Sequence, residues 1–147
     1  MGSGNKKLKS RDSTGNQIKG HETTVIDYRK LKPVFSLEYM GVRGFCISEC
    51  DVPDKAIFMD AILKRGRMTW EQLIQEDHTK LGFEILRDER INQRLREKSL
   101  KPLSPDAKLK VFRAKSDTLK RFVGHRENNI LYLLFYDKDG SLYKHSK

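Results

Sequence analysis

The chain is poor in cysteine: Cys46 and Cys50 are the only two. In a strand-like segment this spacing puts both on one face, yet too far apart for an unstrained disulfide. Two thiols with no CxxC and no paired histidines do not make a zinc site. Both are expected to be reduced, packed thiols, and neither a metal nor another cofactor is implied. No apolar run reaches 18 residues, which argues against a membrane-spanning helix. Lys6, Lys7 and Lys9 are followed by no hydrophobic stretch, so they do not form a secretory signal. The expectation is a cytoplasmic protein with no membrane partner. The sequence also has no phosphate-binding glycine loop, no GxSxG and no HExxH, which removes the nucleotide-binding, serine-hydrolase and zinc-protease signatures.

Acidic residues are also in short supply. There are 20 Asp+Glu against 30 Lys+Arg, a formal net charge of +10. Such an excess steers polyanions and gains from counterion release, and nucleic acid is the leading partner on this ground, ahead of an acidic protein. With 147 residues, 37% of them hydrophobic, the chain suffices for one domain plus a tail. Residues 1–24 are rich in Gly, Ser, Thr, Asn and Lys and read as a flexible basic tail. A single domain is expected over 25–147.

Periodicity gives that domain its elements. Val34–Met40 alternates, Gly41–Gly44 turns, and Phe45–Cys50 is a second strand, together a hairpin. Asp51-Val52-Pro53 opens a helix with Ile57, Phe58, Ala61 and Ile62 inward, ending near Gly66. Thr69 with Gln72 three residues on is a capping box for a second helix, with Trp70, Leu73 and Ile74 inward. Glu84–Leu95 reads as a third, heavily charged helix. Four short strands follow: Leu109–Ala114, Lys120–Arg126, Ile130–Tyr136 and Ser141–His145. Their links are turn chemistry that forces antiparallel neighbours. Ile130–Tyr136 is apolar on both faces and belongs in the centre. The predicted class is α+β, an antiparallel sheet with two to three helices packed on one face.

Residues 108–147 hold ten Lys+Arg against four acids, a net +6 in this stretch. Period-two geometry puts Arg121 and His125 on one face of their strand and Lys120 and Arg126 on the other. Ser141, Tyr143 and His145 point together on the last strand. These residue types suit RNA cleavage by the ribose 2′-hydroxyl, which needs a base, an acid and cations for the phosphorane. The candidate catalytic residues are His125, Tyr143 and His145. The candidate phosphate ligands are Arg113, Arg121, Arg126, Lys120 and Lys144. His78 beside Asp77 and Glu76 is a poor metal site, because adjacent helical side chains splay apart. Trp70, Phe58 and Phe83 read as core.

The run Phe112-Arg113-Ala114, Arg121-Phe122-Val123-Gly124-His125-Arg126 and Ile130-Leu131-Tyr132-Leu133-Leu134-Phe135-Tyr136 resembles the final strands of the RelE/ParE superfamily of bacterial toxins. The likeness covers about 40 residues by pattern. It implies a microbial-ribonuclease-like domain of a toxin–antitoxin system that cleaves messenger RNA on the ribosome, or poisons gyrase in the ParE branch. It also implies an acidic antitoxin-like partner, RNA contact by Arg113, Arg121 and Arg126, and chemistry near His125, Tyr143 or His145. Members usually begin with one strand and then a helical hairpin, whereas a strand pair is predicted here. Residues Leu142–His145 add a last strand that many members lack. The leading functional expectation is a toxin-like, metal-independent endoribonuclease. The alternatives are a non-catalytic nucleic-acid-binding module and a protein-interaction factor of mobile-element or phage origin.

Overall fold

The computed structural model describes residues 24–144. The predicted tail before Thr24, and His145, lie outside the described residues. The elements in chain order are β1 (Val34–Ser36), α1 (Val52–Arg65), α2 (Trp70–Gln75), β2 (Phe83–Ile85), α3 (Glu89–Lys98), β3 (Lys110–Arg113), β4 (Arg121–Glu127) and β5 (Ile130–Asp137). The class is α+β. The sheet runs β1-β5-β4-β3-β2, antiparallel from β2 to β5. It is mixed rather than wholly antiparallel, because β1 lies parallel to β5 with Val34 opposite Ile130.

Local chemistry explains where the helices begin. The Asp51 side chain accepts the Asp54 N–H and caps α1, with proline in its first turn. At α2 the predicted capping box forms: Gln72 N–H donates to Thr69 Oγ1 at 3.1 Å, and Thr69 N–H donates to Gln72 Oε1 at 2.9 Å.

Each face of the sheet carries its own core. On one, Phe58 and Ala61 of α1 and Trp70 and Leu73 of α2 pack on Phe112, Phe122, Leu131, Leu133 and Tyr136. On the other, Leu95 of α3 packs with Leu109, Val111, Val123, Leu134, Phe135, Leu142 and Tyr143. The three helices therefore do not share one face, as expected from the sequence, but split two to one. A β-bulge reconciles the pleat with both cores. Val123 pairs with Phe135 and Gly124 with Leu133, which leaves Leu134 as the extra residue on β5. Leu134 and Phe135 consequently both enter the second core. Gly124 is needed there, since a Cβ would lie 2.7 Å from the Tyr132 carbonyl oxygen.

Three predicted elements take other forms. The Val34–Cys50 hairpin is absent: β1 ends at Ser36, and Ile47–Glu49 is a 3-10 turn with Cys46 and Cys50 at its two ends. Both cysteines are free thiols. Glu84–Leu95 is not one helix. Phe83–Ile85 pairs with β3, and α3 starts only after the Asp88 cap. Ser141–His145 is no strand over its described part; the chain turns there. Ile74, expected inward, is 49% exposed.

One buried cation joins the pieces of the first core. Arg65, at the end of α1, is 1% exposed and has no carboxylate partner among the described residues. Its guanidinium instead donates to four carbonyl oxygens: Leu81 (2.9 Å), Ala61 (3.1 Å), Lys80 (3.0 Å) and Arg113 (2.8 Å). Its carbon lies 5.5 Å and 5.3 Å from the centroids of the stacked Phe112 and Phe122 rings. Burial pushes its pKa down to about 10, so it stays charged at neutral pH. Arg65→Met should lower unfolding free energy by about 3 kcal/mol or more, because four buried acceptors lose their donors. Urea denaturation measures this, and a loss below about 1 kcal/mol would contradict the role.

Candidate nucleic-acid interface

Strand β2 is an edge of the sheet, and a cleft of about 970 Å³ wraps around it. Six cations line the cleft (Arg87, Lys110, Arg113, Arg121, Arg126 and Lys144) against two acids, Glu84 and Asp88. Tyr143 and His78 line it as well. Five of the sequence-predicted residues thus meet in one place: Arg113, Arg121, Arg126, Tyr143 and Lys144.

The strand register explains why. Arg113 and Arg121 are direct cross-strand partners on β3 and β4, on the same face as Val111 and Val123. Like charges placed directly opposite are destabilising. No carboxylate among the described residues forms an ion pair with either guanidinium; Arg121 Nη1 donates to the Leu119 carbonyl at 3.1 Å. Glu84 of β2 lies opposite Val111 and so projects to this same face. Its Oε2 is 3.0 Å from His78 Nε2.

Tyr143 reaches this group through a side-chain anchor. Asp137, buried at the end of β5, accepts the Gly140 N–H at 3.0 Å and the Ser141 N–H at 3.1 Å on Oδ1, and the Leu142 N–H at 3.3 Å on Oδ2. Gly140 supplies the positive φ of +83° that the turn needs. The chain therefore folds back and lays Leu142 and Tyr143 on the second core. Burial pushes the Tyr143 phenol up to about 12; the Arg121 charge opposes this, and Glu84 and Asp137 add to it. At neutral pH the phenol is a proton donor.

Two predicted residues sit elsewhere. His125 is on the same face as Arg121 but four residues further along β4, about 13 Å at strand spacing. It lies opposite Tyr132 and does not line the cleft. Its Nδ1 is buried without a hydrogen bond, 3.6 Å from Glu127 Oε2, and burial lowers its pKa. Beside it Lys101 Nζ lies 4.7 Å and 5.5 Å from the Tyr132 and Tyr39 ring centroids and pairs with Glu127 at 2.9 Å. Lys120 precedes β4. Its Nζ donates to buried Asp54 Oδ1 at 2.9 Å, where Tyr136 Oη also donates at 2.7 Å. Burial raises the Asp54 pKa, but the bonds from Lys120 and Tyr136 outweigh it and hold the carboxyl below its ordinary range. Lys120 is a structural cation here.

Sequence reasoning singled out neither Glu84 nor Lys110; it weighed His78 only as a metal ligand and Arg87 only as part of a charged helix. Reading Glu84–Leu95 as a helix hid the edge strand that presents Glu84. A signal was present: Phe83-Glu84-Ile85 alternates apolar and acidic residues after the Gly82 break.

No protein family, curated protein or solved structure matches the chain.

Two measurements check the placement of His125 and Lys120. A histidine whose folded pKa is lowered favours folding above its ordinary range and loses that advantage as pH falls through about 6.5. His125→Phe should therefore flatten the decline in stability between about pH 7 and pH 5, and an unchanged decline would argue against a buried neutral imidazole. Lys120→Met should destabilise at neutral pH by about 1–3 kcal/mol. That loss should shrink as pH falls through the Asp54 range, because a protonated carboxyl no longer needs the cation. A loss independent of pH would contradict the pairing.

Proposed function

We propose that the chain is an RNA-directed endoribonuclease of toxin type, and that the cleft around β2 is its active site. The observation that carries this reading is the cross-strand pair Arg113 and Arg121, with no carboxylate counter-ion among the described residues, set beside the buried phenol of Tyr143. Holding two guanidiniums together on a sheet opposes folding, and an anion between them relieves the repulsion. Arginine pairs bind phosphate through bidentate hydrogen bonds.

Each group then has a role. Glu84, held by His78, accepts the proton of the ribose 2′-hydroxyl. The freed oxygen attacks phosphorus, and the bond from phosphorus to the 5′ oxygen breaks. Tyr143 donates its proton to that departing oxygen. Arg113 and Arg121 stabilise the charge on the phosphorane between these steps. The products are a 2′,3′-cyclic phosphate and a 5′-hydroxyl. The chemistry is assigned to side chains alone. The RelE/ParE resemblance of the β3–β5 run suggests the same reading and, with it, an acidic antitoxin-like partner; the chain departs from that pattern in carrying β2 and α3 between its first two helices and the meander.

Incubation of purified protein with single-stranded RNA in chelator tests the assignment. Cleavage with cyclic-phosphate ends is expected, with Arg121→Ala slowed about 10²-fold or more. Tyr143→Phe should be slowed comparably. His125→Ala should stay within about threefold of wild type, a small effect for a residue outside the chemistry. Binding without cleavage would favour a non-catalytic nucleic-acid-binding module. Neither binding nor cleavage would remove the proposal.

A further inference from the structure

The cleft has two sides, divided by the plane of the sheet. Arg113, Arg121, Glu84 and Tyr143 occupy the α3 side. The α1/α2 side carries a separate pair of cations. Lys110 lies opposite Gly124 and projects with Phe112 toward the first core, its Nζ 5.4 Å from the Phe83 ring centroid. Arg126 projects to the same side, its guanidinium carbon 4.6 Å from the Trp70 ring centroid, with Nε donating to the Asn128 carbonyl at 2.7 Å.

Among the described residues no carboxylate or carbonyl bonds to the Lys110 ammonium. Burial lowers its pKa, and the neighbouring Arg126 charge lowers it further. Asp27, the acid whose field reaches Arg126, is itself engaged by Arg29 Nε at 3.2 Å. Desolvated like charges without an anion oppose folding. Two apolar side chains, Ile74 (49% exposed) and Ile85 (39% exposed), line the cleft from this side. They give a base or ribose something to pack on.

We propose that Lys110 and Arg126 form a second anion subsite, which holds a phosphate of the same RNA strand beside the reacting one. The inference rests on the RNA reading above. Lys110 and Arg113 are three residues apart on β3, about 10 Å, and project from opposite faces. One phosphate cannot touch both. A strand that bends around the β2 edge can, and β2 is short enough, at three residues, to be passed in this way.

The test is equilibrium binding of a short fluorescein-labelled 2′-O-methyl RNA, which cannot be cleaved through the 2′ position, across a range of potassium chloride concentrations. Each lost phosphate contact should lower the slope of log affinity against log salt by about 0.7. Lys110→Met should show that decrease. It should also raise the melting temperature by a few degrees, since a half-buried cation without a carboxylate partner among the described residues becomes an apolar side chain. Arg113→Gln should lower the slope independently, and the double variant should lose about twice as much. If Lys110→Met keeps the wild-type slope while Arg113→Gln loses its share, the second subsite is wrong and the RNA reading stands. If wild type shows no salt-dependent binding, the RNA reading fails and takes the subsite with it. If Lys110→Met is destabilised, Lys110→Gln decides: a slope lowered by about 0.7 at native stability supports the subsite, and a wild-type slope overturns it.

Discussion

The buried guanidinium of Arg65 is the constraint on which the rest of the structure depends. It sits where α1 ends, where the 77–82 loop passes, and where β3 leaves the sheet, and it bonds to a carbonyl from each. Carbonyls in irregular segments need donors when buried. One planar group with five N–H donors supplies several at once, which a lysine cannot do. The stacked pair Phe112 and Phe122 provides the surface it lies on. The same residue fixes the Arg113 backbone, so a structural cation on one face positions a candidate functional cation on the other.

Two further buried polar side chains act in the same manner. Asn92 of α3 donates to the Leu86 carbonyl at 2.6 Å and accepts the Leu109 N–H at 3.1 Å. This ties the second core to β2 and β3. Asp137 collects the amides of the turn after β5 and returns Tyr143 to the sheet. The cleft thus lies between three polar anchors, each saturated by backbone groups. Among the described residues its arginines and Lys110 form no ion pair, and Arg121 and Arg126 each reach a single carbonyl. The contrast between saturated anchors and cations with unused donors separates scaffold from candidate site.

Much of the scaffold was legible in the sequence. The capping box at Thr69, the Asp51 cap, the three-stranded run through β3, β4 and β5, and the buried centre at β5 all follow from local pattern. Each rests on interactions between residues close in sequence. The failures rest partly on distant ones and partly on side-chain capture of nearby backbone. The pairing of β1 parallel to β5 joins segments nearly 100 residues apart and leaves no local mark. The Leu142–Tyr143 segment alternates like a strand, but Asp137 captures its amides before a sheet partner can. The bulge at Leu134 shifts which β5 residues face α3, and a sequence pattern counted in twos does not show it.

The site was legible in residue type and only partly in position. Period-two sorting separated Arg121 from Arg126, and the structure keeps them on opposite faces. They nonetheless line one cleft, because the sheet ends two strands away in β2, an edge strand of only three residues around which the cleft wraps. His125 attracted notice as a histidine among arginines, yet it is half-buried near Lys101 and Glu127 instead. The cations of the basic meander that line the cleft therefore gather around the β2 edge rather than over one face. The most direct measurement is the map of backbone amide shifts when an uncleavable single-stranded RNA is titrated into the isotope-labelled protein. The account predicts changes concentrated in 83–88, 110–113, 121, 126 and 143–144, with residues 52–63 of α1 unaffected. Shifts centred on α1, with the β2 edge silent, would contradict it.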